Sequence, residues 1–295
     1  MQRRESVEKP AIFFEFKQSL KNPWAEELID LALFRPLAFL LVKIFVPLPI
    51  TPNQISLAAM ICGIAGGLAF AGGSRHLFII GGLLYGFSTI LDCCDGMIAR
   101  LKKNGTLTGR IVDGLVDYVT SASVYIGLGI GLSKARFAGA LSLPCNPWLL
   151  VLLACASHAI HAVLSDKYRN GFLNQMKPTP LRGETEQAQF SRELDRLKSG
   201  AGHGFDRALI RIYLWYLRLQ TGNARKKAIT LQSARGPRFS ATKALLWNII
   251  GPSTHITFLI AAVFLFNPMV YFIFVIGFCN IWTAGLFMME IFTLL

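Results

Sequence analysis

Charge is scarce in this sequence, and acidic charge is scarcest. Asp, Glu, Lys and Arg make up 16% of the 295 residues, where soluble domains average about 25%. Only 17 residues are Asp or Glu, against 30 Lys and Arg. Apolar residues reach 53%, with 22 Phe, and the mean hydropathy is +0.46. Such a composition excludes an ordinary soluble domain and fits a chain that crosses a membrane several times. Cysteine is sparse and irregular. The six Cys, at positions 62, 93, 94, 145, 155 and 279, lack the paired spacing of a metal finger and read as buried free thiols. The first apolar run begins late and lacks a convincing cleavage site, so no cleavable signal peptide is expected. No nucleic-acid module surrounds the basic residues, so no nucleic-acid partner is expected either.

Against that background four carboxylates stand close together. Residues 92–117 read DCCDGMIARLKKNGTLTGRIVDGLVD and carry Asp92, Asp95, Asp113 and Asp117, with apolar sequence from Leu77 to Leu91 before them and from Val119 to Leu132 after. A charge at the centre of a bilayer costs about 2.5–3.5 kcal/mol on insertion scales, so intramembrane acids point to function. Asp92 and Asp95 are three residues apart and share a helix face, as do Asp113 and Asp117 at a spacing of four. The Lys, Asn, Gly and Thr of 101–108 suit a tight turn between antiparallel helices, which brings both pairs together. All-oxygen ligands favour hard cations such as Mg²⁺, Mn²⁺ or Ca²⁺. Four carboxylates can hold two such ions, an arrangement suited to displacement at phosphorus. Gly96, Ala99 and Gly109 leave room for a bulky ligand, and Arg100 offers a fork of donors for a phosphate.

The spacing resembles the CDP-alcohol phosphotransferase (CDP-alcohol phosphatidyltransferase) family, whose pattern is D-x2-D-G-x2-A-R-x8-G-x3-D-x3-D. Asp92, Asp95, Gly96, Ala99, Arg100, Gly109, Asp113 and Asp117 fill every fixed position. The resemblance implies an enzyme using two divalent ions, Mg²⁺ or Mn²⁺. Asp92, Asp95 and Asp113 are then the main metal ligands, and Asp117 is the general base, touching a metal as well. It further implies that Thr51, Pro52, Asn53 and Gln54 and the turn residue Thr106 contact the cytidine nucleotide, together with Gly96, Ala99, Arg100 and Gly109. A homodimer is implied too. A cation transporter would use the same acids but leaves the Gly, Ala and Arg positions unexplained.

The implied fold is all-α: six transmembrane helices, an N-terminal interfacial helix and a basic cytoplasmic insertion. Residues 1–30 mix aromatics with charge and read as a surface segment or a mobile tail. LALFRPLAFLLVKIFV at 31–46 is interrupted by Arg35, Pro36 and Lys43 and is short for a span. It reads as an interfacial helix, with a first span as the alternative. Thr51 and Pro52 start a helix as cap and first residue, and Gly63, Gly66 and Gly67 within it permit close helix contact. Further spans are expected over about 77–102, 108–132, 147–164, 244–266 and 268–292. Cys93 and Cys94 read as packing residues. Thr120 and Ser121 read as bonded to backbone carbonyls. His158 and His161 could bind a metal only with a third ligand, and none is visible in sequence. They read as hydrogen-bonded interface residues, and His255 reads likewise.

Residues 167–243 differ in kind: 16 Lys and Arg against 5 Asp and Glu give them +11 of the chain's +13. Within them FDRALIRIYLWYLRL, 205–219, places Arg207, Arg211 and Arg218 on one helical face and Leu209, Ile212, Tyr213 and Tyr216 on the other. A basic amphipathic helix with aromatics suits an anionic membrane surface, and Arg225, Lys226 and Lys227 extend the charge. Four units result: 1–50, the tail and interfacial helix; 51–166, four spans with the motif; 167–243, the insertion; 244–295, the last two spans. The basic 101–107 turn and insertion place the acid cluster toward the cytoplasm, in an integral protein of, by expectation, a bacterial inner membrane. The implied reaction transfers a substituted phosphate from a CDP-alcohol to an acceptor hydroxyl and releases CMP. CDP-diacylglycerol with a small polar acceptor is preferred over a CDP-amino alcohol with a lipid hydroxyl.

Overall fold

In the computed structural model, residues 12–20, 26–137, 139, 143–176, 186–198, 204–221 and 240–294 are described. Trp24 and the basic run 225–227 lie outside them. All regular structure among the described residues is helical. A short helix α1 (Ile12–Ser19) precedes a π-helical turn (Asp30–Phe34) that continues into α2 (Arg35–Phe45). The helices α3 (Pro52–Ala71), α4 (Arg75–Leu101), α5 (Leu107–Phe137) and α6 (Pro147–Met176) follow. Next come α7 (Glu186–Lys198), α8 (Gly204–Thr221), α9 (Ala241–Asn248) and α10 (Pro252–Phe264). The last helix starts as α11 (Pro268–Phe272), widens into a π segment (Ile273–Cys279) and ends as α12 (Asn280–Leu294). Six stretches are long and apolar enough to cross a membrane: α3, α4, α5, α6, α9 with α10, and α11 through α12. The protein is thus an all-α polytopic membrane protein. The helix of the fourth span runs on to Met176, past the expected exit near Leu164, because no proline stops it.

Backbone contact holds the core together. α3 lies between α4 and α5 and packs extensively on both. A Cβ at Gly127 would fall on the Gly67 carbonyl, and one at Gly131 on the Phe70 carbonyl. Small residues allow this approach, which drives association where lipid leaves no hydrophobic effect between helices. Around the triad, Phe70, Phe78, Tyr85, Tyr125, Leu128, Val151, Leu259 and Phe272 form an apolar cluster spanning α3–α6, α10 and α11. A second cluster joins Phe34, Phe39 and Val42 of the N-terminal segment to Ile55, Leu91, Met97 and Val116. α2 buries Ala38, Phe39 and Val42 and leaves Leu37, Leu40 and Ile44 exposed, an outer face suited to a membrane interface.

The N-terminal segment is more deeply built in than its mixed charge predicts. Glu26 and Glu27 are buried, and Arg35, expected to interrupt a surface helix, forms an ion pair with Glu26 at 2.9 Å. The reason lies in the fifth span. Its helix breaks at Ile249–Gly251 and restarts at Pro252, which frees backbone N–H groups at the new N-terminus. The Glu27 carboxyl accepts from the Ser253 N–H at 2.8 Å, and Asp30 accepts from the Ser253 hydroxyl at 2.7 Å. A Cβ on Gly251 would collide with the Glu27 carboxyl, so any side chain there must displace it. Burial pushes the Glu27 carboxyl up to about 8, and neighbouring Asp30 adds to the rise.

In the insertion, α7 and α8 pair through Phe190, Leu197, Ile210 and Leu214 and rest on Leu107 and Ile111 at the start of α5. The buried face of α8 is therefore Ile210, Leu214 and Leu217, with Tyr213 half-buried. Ile212 and Tyr216, expected on the apolar face of a helix suited to a membrane surface, are exposed together with Phe205 and Trp215. Arg211 and Arg218 are exposed and Arg207 is half-buried. With two opposed apolar faces on one helix, composition did not reveal which one would find the bundle.

Candidate active site

The α4–α5 hairpin carries the acids. α4 ends at Leu101, and Lys103 turns the chain with φ at +52°. Lys102 Nζ anchors the turn by donating to the carbonyls of Leu48 at 2.7 Å and Ile50 at 2.9 Å. Asp92 and Asp95 then face Asp113 across the hairpin. One oxygen from each of the three lies within 4.8 Å of the others, close enough to share a metal ion. Asp95 is buried, while Asp92 and Asp113 are half-buried. Asp117 is exposed and outside that trio, yet within electrostatic reach of Asp92.

These residues fit a divalent cation. Three like charges this close repel one another strongly unless a cation or protons intervene. Asp92 Oδ1 is buried without a hydrogen-bond partner, a ligand atom with nothing else to bind it. Asp95 is oriented by the Ser56 hydroxyl, which donates to its Oδ2 and is also 3.2 Å from the Pro52 carbonyl. Ser56 is a site residue that the motif does not contain. Its only signal in sequence is its place one turn after Pro52.

The start of α3 sits beside the hairpin. Thr51 caps it: Gln54 N–H donates to Thr51 Oγ1 and Gln54 Oε1 accepts from the Thr51 N–H at 2.9 Å. The side chains of Thr51 and Gln54 are thus engaged with each other, Asn53 is exposed and Pro52 half-buried. Thr106, exposed in the turn, accepts from the Gly109 N–H at 2.9 Å. A Cβ on Gly109 would lie 3.1 Å from Thr106 Oγ1 and 3.2 Å from Asn53 Oδ1, so Gly109 is where the α3 start and the turn converge. Ala99 faces the turn at Gly105, and Gly96 leaves space occupied by the Arg100 guanidinium, with Nη1 3.5 Å from a Cβ position there. Arg100 Nε donates to the Ser19 carbonyl at the end of α1, while its Nη2 is buried without a partner.

Other expected residues resolve as follows. Cys93 and Cys94 are buried in the core beside α2. Thr120 does not bond to a carbonyl as expected. Its hydroxyl is buried without a partner, held under Gly63 where a larger residue would strike it. His158, His161 and His255 gather elsewhere, between α6, α10 and the last helix.

Residues 49–173 match the family model for CDP-alcohol phosphatidyltransferase. Two curated proteins are similar to part of the chain, each named "Bifunctional IPC transferase and DIPP synthase". The one from Rubrobacter xylanophilus is 32% identical over 97 residues, 32% of this chain and 21% of that protein. The one from Archaeoglobus fulgidus is 38% identical over 93 residues, 30% of this chain and 18% of that protein. The match thus covers about a fifth of each relative's length.

Proposed function

We propose that residues 49–173, which match the CDP-alcohol phosphatidyltransferase family model, make this chain a divalent-metal-dependent transferase that moves a substituted phosphate from a CDP-alcohol to an acceptor hydroxyl in lipid synthesis. The carrying observation is the convergence of Asp92, Asp95 and Asp113, with an unpartnered Asp92 oxygen, beside Asn53, Thr106 and Gly109.

In this reading Asp92, Asp95 and Asp113 hold two ions of the Mg²⁺ or Mn²⁺ type, with Asp117 touching one of them. When bound, such ions neutralise charge on the entering and leaving oxygens of a displacement at phosphorus. The α3 start, Gly96, Ala99, Arg100, Thr106 and Gly109 hold the cytidine nucleotide. The acceptor oxygen bonds to the phosphorus next to the transferred alcohol as the bond to CMP breaks. The Asp117 carboxylate takes the hydroxyl proton, and its exposure leaves it open to an incoming acceptor. Water competes for the same phosphorus, so the pocket must hold the acceptor hydroxyl in line.

CDP-diacylglycerol with a small polar acceptor is the preferred pair, and a CDP-amino alcohol with a lipid hydroxyl is the alternative. The reading includes a homodimer and a bacterial inner membrane, with residues 51–166 as the catalytic unit opening to the cytoplasm. The experiment is an acceptor screen on purified protein with both donor types, following CMP and the lipid product. CMP release that requires an acceptor supports the transferase. A protein that binds no cytidine nucleotide but carries a divalent cation into liposomes would be a transporter instead.

A further inference from the structure

We propose that His161, His255 and Cys279 form a second metal site, separate from the acid cluster and suited to zinc, that ties together the fourth, fifth and sixth spans. The three residues come from α6, α10 and the end of the π segment, and each is fully buried. One ligand atom from each lies within 4.8 Å of the other two. The sequence offered only His158 and His161 at a spacing of three. The fold replaces that local pair with three ligands drawn from distant helices.

The hydrogen bonds around His161 select the form of the ring that binds metal. Asn280 donates through Nδ2 to the Ile276 carbonyl at 2.9 Å and to the Ser157 hydroxyl at 3.0 Å. Its Oδ1 is left to accept from His161 Nε2, 3.1 Å away. His161 therefore carries its hydrogen on Nε2 and presents the Nδ1 lone pair toward His255. Metal-bound imidazoles are oriented in this way, with the second nitrogen donating to a fixed acceptor. Without a metal, His255 Nε2 donates to the His161 Nδ1 lone pair at 3.2 Å. An ion would take the place of this hydrogen, which then moves to Nδ1, where no other side chain is bonded. The ring is free to carry hydrogen there and to offer Nε2 as a ligand. His158 stacks on His255 with ring centroids 4.4 Å apart and is itself held by Tyr125 at 2.8 Å, which limits ring rotation.

Geometry and ligand chemistry agree with a zinc-type ion. His161 Nδ1 and His255 Nε2 are 3.2 Å apart. Two nitrogens at zinc-bonding distance and a tetrahedral angle are separated by about 3.3 Å. An N/N/S set favours a borderline-soft ion over the hard ions that suit the acids, and three protein ligands leave a fourth position for water or another small donor. The π segment supplies the thiol. Its wider winding reduces the angle between successive side chains, so Cys279 and Asn280 both reach the His161 cluster. Such π segments recur at functional sites. All three ligands lie near the middle of their spans, where buried polar groups are costly and rarely idle.

The test uses the full-length protein in detergent, dialysed against Zn²⁺ with excess Mg²⁺ to occupy the acid cluster, and Co²⁺ as a spectroscopic probe. The expected result is about one zinc retained per chain. The cobalt form should show a thiolate-to-metal band in the near ultraviolet with tetrahedral visible bands. Cys279→Ser should remove the thiolate band, and Asn280→Ala should weaken binding by about 10–100-fold, the usual effect of losing an orienting partner. Asp92→Asn should leave the spectrum intact. A wild-type protein that retains no zinc, or whose cobalt complex lacks the thiolate band, overturns the proposal. Both of those readouts come from the wild-type protein, so a variant that fails to fold cannot rescue it.

Discussion

Asp92 and Asp117 belong to one motif but occupy different surroundings, one with a buried unpartnered oxygen and the other exposed. A ligand and a base should fail differently. Asp117→Asn keeps the shape and one acceptor oxygen but cannot take a proton, so turnover should fall about 10²–10⁴-fold with metal and nucleotide binding retained. Asp92→Asn should lose the metal and the nucleotide affinity that depends on it. Metal titration and nucleotide binding on both variants separate the two roles, and equal loss of metal would make Asp117 primarily a ligand. Ser56 gives a second test. Its hydroxyl orients Asp95, so Ser56→Ala should weaken Mg²⁺ binding about 10–100-fold with little change in thermal stability. Unchanged metal affinity would reduce Ser56 to packing. The acids were legible because their spacing alone puts them on shared faces. Ser56 was not, because a serine one turn into an apolar helix has the same sequence whether it faces a carboxylate or a backbone carbonyl.

Among the elements, the triad α3–α4–α5 should be the least tolerant of added volume. A side chain at Gly127 meets the Gly67 carbonyl, which cannot retreat, whereas one at Gly63 meets the Thr120 side chain, which can turn. Gly127→Val should therefore destabilise the protein by about 1–3 kcal/mol or more, and Gly63→Ala by distinctly less, as read from thermal unfolding in detergent. Equal effects would contradict the packing described. The helices and their small-residue contacts were readable from apolar runs and glycine placement. Partners distant in sequence were not. Pro252 marks a helix start, but nothing near it names Glu27 as its acceptor. His255 and Cys279, the proposed partners of His161, were likewise invisible beside it in sequence. In α8 a second apolar face went unread, since apolar residues on two faces leave the packed one undetermined until Leu107 and Ile111 occupy it.

For the molecule as a whole, the proposed two-ion reading predicts that chelation abolishes transfer and that Mg²⁺ or Mn²⁺ restores it, because three carboxylates this close repel one another without a cation. Full activity in exhaustively metal-free protein would remove the two-ion reading. The exposed Arg211 and Arg218, next to exposed Phe205, Ile212 and Trp215, should favour anionic bilayers by about 1 kcal/mol per basic residue, less in salt. Changing both to Gln should lower activity in anionic vesicles more than in neutral detergent. Stability should also respond to pH through Glu27. Its carboxyl is raised in the fold to about 8 from an ordinary 4.5, so the folded form holds a proton that the unfolded form releases. That contribution is complete below about pH 4.5 and is lost as pH rises through 8. Glu27→Gln should flatten this slope, and an unchanged slope would assign it to other groups. The same contact has a consequence for synthesis. Glu27 leaves the ribosome early, whereas Ser253 is made 226 residues later. The hairpin of acids and its α3 neighbour can assemble from nearby sequence, but the N-terminal segment must wait for the fifth span before its carboxyl finds an N–H. The Ser19 carbonyl can receive Arg100 earlier, so only the Glu27 end of the segment is completed late. A chain stopped before Pro252 would contain every acid of the motif and still lack the contact that closes the N-terminal segment against the bundle.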